Sequence, residues 1–163
     1  MNAAICHDCS SPAVPGRSMC EEHLRTHAKA QRAREEKRLA AGLCMACGKT
    51  ATVPGGKRCA SCLDVRRAVV ARNDRKVKQE AIEQYGGKCE CCGESRFEFL
   101  TIDHKDGDGA AHRREMNFGS VYRWLKRNGY PKDKFRLLCF NCNCARGFFG
   151  YCPHETERME IAA

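Results

Sequence analysis

The sequence predicts a small α+β protein stapled by its cysteines rather than built around a large hydrophobic core. Three observations predict it. Fourteen of the 163 residues are cysteine, mostly in C-x2-C pairs, a density that marks a disulfide or metal scaffold. Aromatic residues supply only 7% of the chain and charged residues 30%, so a core of ordinary size is not expected and staples must replace it. Finally, two basic, helix-favouring runs precede a C-terminal stretch that mixes short β-type segments with short helical ones.

The start, "MNAAICHDCS", lacks a basic segment followed by an apolar run, so no secretory leader is expected. Nor does any stretch approach the ~18 apolar residues that would span a bilayer, and no membrane partner is expected. A cytoplasmic location follows, where thiols stay reduced and paired cysteines serve as metal ligands more often than as disulfides. The net charge of +9 is uneven: residues 1–86 carry 16 Lys and Arg against 9 Asp and Glu, residues 87–163 carry 13 against 11. That asymmetry points to a polyanionic partner, nucleic acid first; the plain alternative is a solvated surface.

The first half is a duplication. "CHDCSSPAVPGRSMCEEH" from Cys6 to His23 resembles "CMACGKTATVPGGKRCASC" from Cys44 to Cys62, each with a C-x2-C pair, a "VPG" turn and a second pair of the same gap. The offset is 38 residues at the start and 39 at the end. Each copy runs into a basic helix-favouring segment, giving two units of zinc knuckle plus basic helix, 1–42 and 43–86. A C-x2-C turn lets two sulfurs reach one ion and a second pair closes the tetrahedron. The predicted structural zinc ligands are Cys6, Cys9, Cys20 and His23 in the first knuckle, and Cys44, Cys47, Cys59 and Cys62 in the second. The second helix is expected from about Asp64 to Tyr85, ended by Gly86 and Gly87, where a domain boundary is placed.

The third unit, 87–154, precedes a tail at 155–163. "FEFLTIDH" reads as a strand at about 97–104, "DGDGAAHRRE" as a loop, and "SVYRWLKRNGYP" as a helix with Ser120 as N-cap. "KFRLLC" reads as a short strand and "NCNCARGFF" as the start of a helix kept short by Gly147 and Gly150. A third zinc site joins Cys89 and Cys92 to Cys139 and Cys142, making about three structural zincs. Cys91 rivals Cys89 and Cys92 as a ligand. Cys91, Cys144 and Cys152 are read as spare thiols, with Cys144 expected to pack beside the site; a further site using Cys152 and His154 is the alternative. A zinc with four protein ligands has no open position, so these ions are expected to hold the fold and do no chemistry.

Closing the third site would bring Asp103 and His104 near Asn143. Asp103 and Asn143 could give oxygen ligands to Mg²⁺, and His104 could deprotonate a water aimed at a phosphorus. The bland alternatives are a surface Asp-His pair at a strand end and an Asn143 that caps a helix. A calcium loop is rejected, because Lys105 breaks the acidic alternation and the twelfth position is Arg114.

"CECCGE…FLTIDH…LLCFNCNCARG" resembles the HNH, or ββα-metal, nuclease family, nearest to its phage recombination endonuclease VII-like branch. "DHKDGDGAAHR" and "GFFGYCPH" are similar to segments of phage HNH proteins as well. The resemblance covers about residues 86–154. It implies a ββα-metal domain that hydrolyses DNA phosphodiesters, with His104 as general base and Asp103 and Asn143 as ligands of a catalytic Mg²⁺ or Mn²⁺. Two departures exist: Lys134 stands where many members carry an Asn that orients the base, and Asp106 stands where endonuclease VII-like members often carry His. A phage protein acting in the bacterial cytoplasm is implied, with a homodimer and a phage replication or packaging partner both left open. On duplex or branched DNA, Arg66, Arg67, Arg72, Arg75, Lys76 and Lys78 are the expected phosphate contacts, with His112 and Arg113 beside the site. The alternatives are a non-catalytic nucleic-acid-binding zinc protein and a protein-docking adaptor.

Overall fold

The computed structural model describes residues 4–117, 119–155 and 157. The chain forms two compact units, Met1–Val69 and Val70–Ala163. Among the described residues no helix is long and apolar enough to cross a membrane.

In the first unit the sequence repeat is a structural one. Each knuckle has one isolated antiparallel bridge, Ile5 with Pro12 and Leu43 with Ala51. Matching backbone bonds recur: Cys6 N–H to Ser11 O at 2.9 Å and Cys44 N–H to Thr50 O at 2.8 Å, Val14 N–H to Met19 O at 3.0 Å and Val53 N–H to Arg58 O at 3.0 Å. The second copy's extra residue falls in the turn at Gly48, where φ is +66° and an L side chain would be strained. Helix α1 (Glu21–Ala40) follows the first knuckle and buries none of its residues. Glu21 and Glu22 at its N-terminus and Lys37 and Arg38 at its C-terminus complement the helix dipole. Arg38 then donates to the carbonyls of Met45 and Ala46 at 2.9 and 3.0 Å, tying the helix end to the second knuckle.

Helix α2 (Ala60–Gln84) begins four residues before the expected Asp64, directly after Cys59, so that Cys62 lies in its first turn. Within the second unit, Ala81, Ile82 and Tyr85 are buried. The remaining elements are β1 (Leu100–His104), α3 (Gly109–Glu115), α4 (Val121–Arg127), β2 (Phe135–Cys139) and α5 (Phe140–Phe149). Residues 97–99, expected as the start of the strand, form a single 3₁₀ turn instead. The stretch expected as a loop contains α3: the first Asp-Gly pair precedes a seven-residue helix, and the second, Asp108-Gly109, supplies its N-cap and first residue.

Strands β1 and β2 pair antiparallel, Leu100 opposite Cys139, Ile102 opposite Leu137 and His104 opposite Phe135, and α5 packs on both. The core around them is small: Leu100, Leu125 and Leu137 are fully buried, joined by Ile82, Ile102, Phe135, Leu138 and several cysteines. Charged and polar pairs fasten α2 to α4 and the turn after it. Glu80 accepts from Lys126 at 2.5 Å and from the Tyr130 hydroxyl at 2.7 Å, and Asp74 pairs with Arg123.

Candidate metal centres and the Asp103–His104 site

Among the described residues, four groups of cysteine and histidine bring their ligand atoms within 4.8 Å of one another and could hold metal ions. Three are the expected quartets of Cys6, Cys9, Cys20 and His23, of Cys44, Cys47, Cys59 and Cys62, and of Cys89, Cys92, Cys139 and Cys142. The spacing suits zinc. Bonds of about 2.3 Å to sulfur in a tetrahedron put two sulfurs about 3.8 Å apart, and a sulfur and an imidazole nitrogen about 3.5 Å apart. The observed sulfur pairs lie at 3.8 Å for Cys9 and Cys20, 3.9 Å for Cys47 and Cys59, and 3.6 Å for Cys92 and Cys139. His23 Nδ1 stands 3.4 Å from both Cys6 and Cys20. A disulfide would need about 2.05 Å, so the thiols face a shared point rather than one another.

The same local device builds the closing half of these three quartets. Cys20 and Cys139 are the N-cap residues of α1 and α5, and Cys59 immediately precedes α2; His23, Cys62 and Cys142 lie three positions further on. That places two ligands on one turn while backbone N–H groups of the helix start point at sulfur, as Cys142 N–H does toward Cys139 Sγ at 3.5 Å. Thiols gathered this closely differ in acidity. Backbone N–H groups of Cys47, Cys59 and Ala46 pull Cys44 down to about 6 in spite of its burial. The neighbouring Cys59, with burial, pushes Cys62 up to about 12. A divalent ion relieves that conflict by letting all four sulfurs ionise.

The fourth group is Cys91, Cys142, Cys152 and His154. Cys91 and Cys152, read from the sequence as spare, are buried within it. It contains the alternative pair of Cys152 and His154 raised by the "CPH" stretch; the surplus of Cys91 was the signal for a third member. Cys144, expected to pack beside the site, is exposed on α5.

Asp103 and His104 are successive residues of β1 and therefore project to opposite faces of the ribbon. Asp103 faces its cross-strand partner: Arg136 Nε donates to Asp103 Oδ2 at 2.6 Å, with both side chains largely buried. His104 lies on the other face against Phe135, ring centroids 4.6 Å apart. Its Nε2 is 2.8 Å from Nδ1 of His112, and its Nδ1 side is lined by Gly109, where a Cβ would come within 3.1 Å. Burial lowers the pKa of His104 below its ordinary value, against the upward pull of Asp108. Asn143 is half-buried in the first turn of α5. No hydrogen bond among the described residues joins it to Asp103 or His104.

His112, expected at the phosphate surface, is instead 8% exposed and packs edge-on against Trp124, centroids 4.4 Å apart. Its Nε2 is buried without a hydrogen-bond partner. The presence of α3 explains the difference, since a helix rather than a loop carries residue 112 back onto β1. Arg113 remains exposed, donating to the Gly109 carbonyl at 3.2 Å. Of the basic residues on α2, Arg66, Arg72 and Lys76 are exposed and Arg67 pairs with Asp64 at 3.1 Å. Arg75 and Lys78 both sit over the Phe97 ring, at 4.9 and 4.6 Å. Comparison of the chain with protein-family models, with curated proteins and with solved structures finds no match.

Proposed function

We propose that this chain is a metal-dependent endonuclease that hydrolyses DNA phosphodiester bonds, with His104 as general base and with Asp103 and Asn143 as ligands of a catalytic Mg²⁺ or Mn²⁺. The observation that carries the reading is the His104–His112 pair at the end of β1, beside a hairpin and helix that cysteine quartets hold together. A half-buried imidazole whose one nitrogen is fixed by a neighbour is suited to proton transfer at the other.

The chain's own residues define how that transfer would run. His104 takes the proton of the attacking water at Nδ1, the nitrogen on the Gly109 side. Its Nε2–H then donates to His112 Nδ1, across the observed 2.8 Å. That assignment requires His112 to carry its own proton on Nε2, the buried atom without a partner. Leaving a buried donor unsatisfied costs roughly 1–3 kcal/mol, a penalty tolerated where it sets the tautomer of a working base. The depressed pKa keeps His104 neutral, the form that accepts a proton, near pH 7. A bound divalent ion would stabilise charge on the phosphate and on the leaving 3′ oxygen. Asp103 accepts from Arg136 through Oδ2, which leaves Oδ1 as the oxygen to offer such an ion. The quartets fit zinc as structural ions, three of them as the sequence predicts. Exposed Arg66, Arg72 and Lys76 are the phosphate contacts of this reading, acting on duplex or branched DNA.

A second reading, a nucleic-acid-binding zinc protein without catalysis, is favoured by the Arg136 contact: a guanidinium already neutralises the carboxylate that the catalytic ion would need. Cleavage of a panel of labelled duplex, branched and single-stranded DNAs with Mg²⁺ or Mn²⁺ separates the two. Binding that weakens steeply with salt, without cleavage of any member, would leave only the second.

A further inference from the structure

We propose that the C-terminal unit holds a binuclear zinc cluster in which the Cys142 thiolate bridges two ions, the second of them held also by Cys91, Cys152 and His154. The two groups that could bind metal in this unit have one residue in common, Cys142. One tetrahedral ion takes four ligands, and the union of the groups supplies seven residues. The edge lengths fit a tetrahedron in both. The first shows 3.6 Å between Cys92 and Cys139 sulfurs. The second shows 3.4 Å from Cys142 Sγ and 3.5 Å from Cys152 Sγ to His154 Nδ1, against about 3.8 and 3.5 Å for zinc.

Cys142 is the right residue to be shared. It is fully buried, and its sulfur lies within 4.8 Å of the ligand atoms of both groups, those of Cys92 and Cys139 in one and of Cys91 and Cys152 in the other. If Cys142 served the first ion alone, the second would keep three protein ligands and an open position, the arrangement of catalytic zinc. Here the Cys142 sulfur stands at that fourth corner.

The charge balance favours sharing. Binding releases the protons of six thiols to solvent, and two divalent ions against six thiolates leave a net charge of −2. A single four-cysteine quartet carries the same −2, so the second ion enters without adding to the charge that must be buried. The chain path is built for it as well. Gly150, with φ of +79°, ends α5 and turns the chain back. Arg146 of α5 pairs with Glu155, holding the Cys152–Glu155 turn against the helix. The second ion would therefore clamp the turn after α5 to the helix start at Cys142 and to Cys91. This inference does not rest on nuclease activity.

The test uses the whole 163-residue chain. Elemental analysis of protein loaded with zinc is expected to give four ions per chain, and Cys91→Ser and Cys152→Ser are expected to lower the count to three. Cys144→Ser, at an exposed thiol outside every group, should keep four. Replacement of zinc by ¹¹³Cd should give four resonances, two of them split by coupling to each other through the shared sulfur. Three ions in the wild type, or four ions with no mutual coupling, would overturn the proposal. If a variant loses its fold, the wild-type count and coupling still decide.

Discussion

Gly109→Ala pits two effects of opposite sign against each other. Gly109 opens α3, and alanine in a helix normally stabilises by about 0.5–1 kcal/mol relative to glycine. The added Cβ, however, would lie 3.1 Å from His104 Nδ1, with Cε1 and Cγ at 3.5 and 3.6 Å. The imidazole must retreat by about 0.3 Å to restore ordinary contact, which stretches its 2.8 Å bond to His112 or tilts the ring. If a 1 Å misplacement costs roughly a hundredfold in rate, 0.3 Å costs about fourfold, or ~0.8 kcal/mol in the barrier. The expected outcome is a variant at least as stable as wild type that nicks plasmid about fourfold more slowly. Thermal melting gives the first quantity and initial nicking rates the second. Ring ¹⁵N chemical shifts of His104 and His112 report the displacement even without turnover. Wild-type nicking and unchanged ring shifts in a well-folded variant would refute the placement of His104 Nδ1 at the reaction centre.

Three further outcomes follow from the same geometry. His104 has a lowered pKa, so its neutral, active form persists below its ordinary value of 6.5; kcat/KM should be flat above that pH and fall only at lower pH. Between the unfolded and folded pKa the unfolded chain binds more protons, so His104 also makes stability decline as pH drops below 6.5; an acid limb at or above 6.5 would contradict the burial. Leu137→Ala, at a fully buried position of β2 opposite Ile102, should cost about 2–5 kcal/mol, a large part of a small domain's total, read from the denaturant midpoint of the zinc-loaded protein. Removal of zinc by a chelator should collapse tertiary structure, recovered by zinc and not by Mg²⁺, because metal binding and folding are coupled in such modules; near-ultraviolet circular dichroism follows it.

What the sequence made legible was local. Cys6 with Cys9, Cys44 with Cys47 and Cys139 with Cys142 announce themselves by a two-residue gap that only a tight turn or helix start satisfies. The duplication follows because the same spacings return 38–39 residues later. Strand β1 was readable from its β-branched and aromatic alternation, apart from residues 97–99, and β2 from its short apolar run. Three things were hidden because they depend on tertiary contact. The helix α3 lies behind Asp-Gly turn signals, so the burial of His112 against Trp124 and Phe135 could not be foreseen. The early start of α2 puts Cys62 in the helix's first turn, where spacing alone does not announce a helix. The fourth ligand group collects Cys91, Cys142 and Cys152 from three segments and uses Cys142 twice, whereas pairing by spacing assigns each cysteine once. The proximity of Asn143 to Asp103 and His104, expected from closure of the third quartet, has no hydrogen bond behind it. Strand alternation also sets Asp103 and His104 on opposite faces.

The most direct test of the nuclease reading is nicking of supercoiled plasmid by zinc-loaded protein with Mg²⁺ or Mn²⁺, run beside His104→Ala of equal zinc content. Nicking by wild type that falls by about 10²–10⁴ in the variant is the predicted result, the usual contribution of a general base. No cleavage of supercoiled, linear or branched DNA by the wild type, or equal cleavage by both proteins, would contradict it.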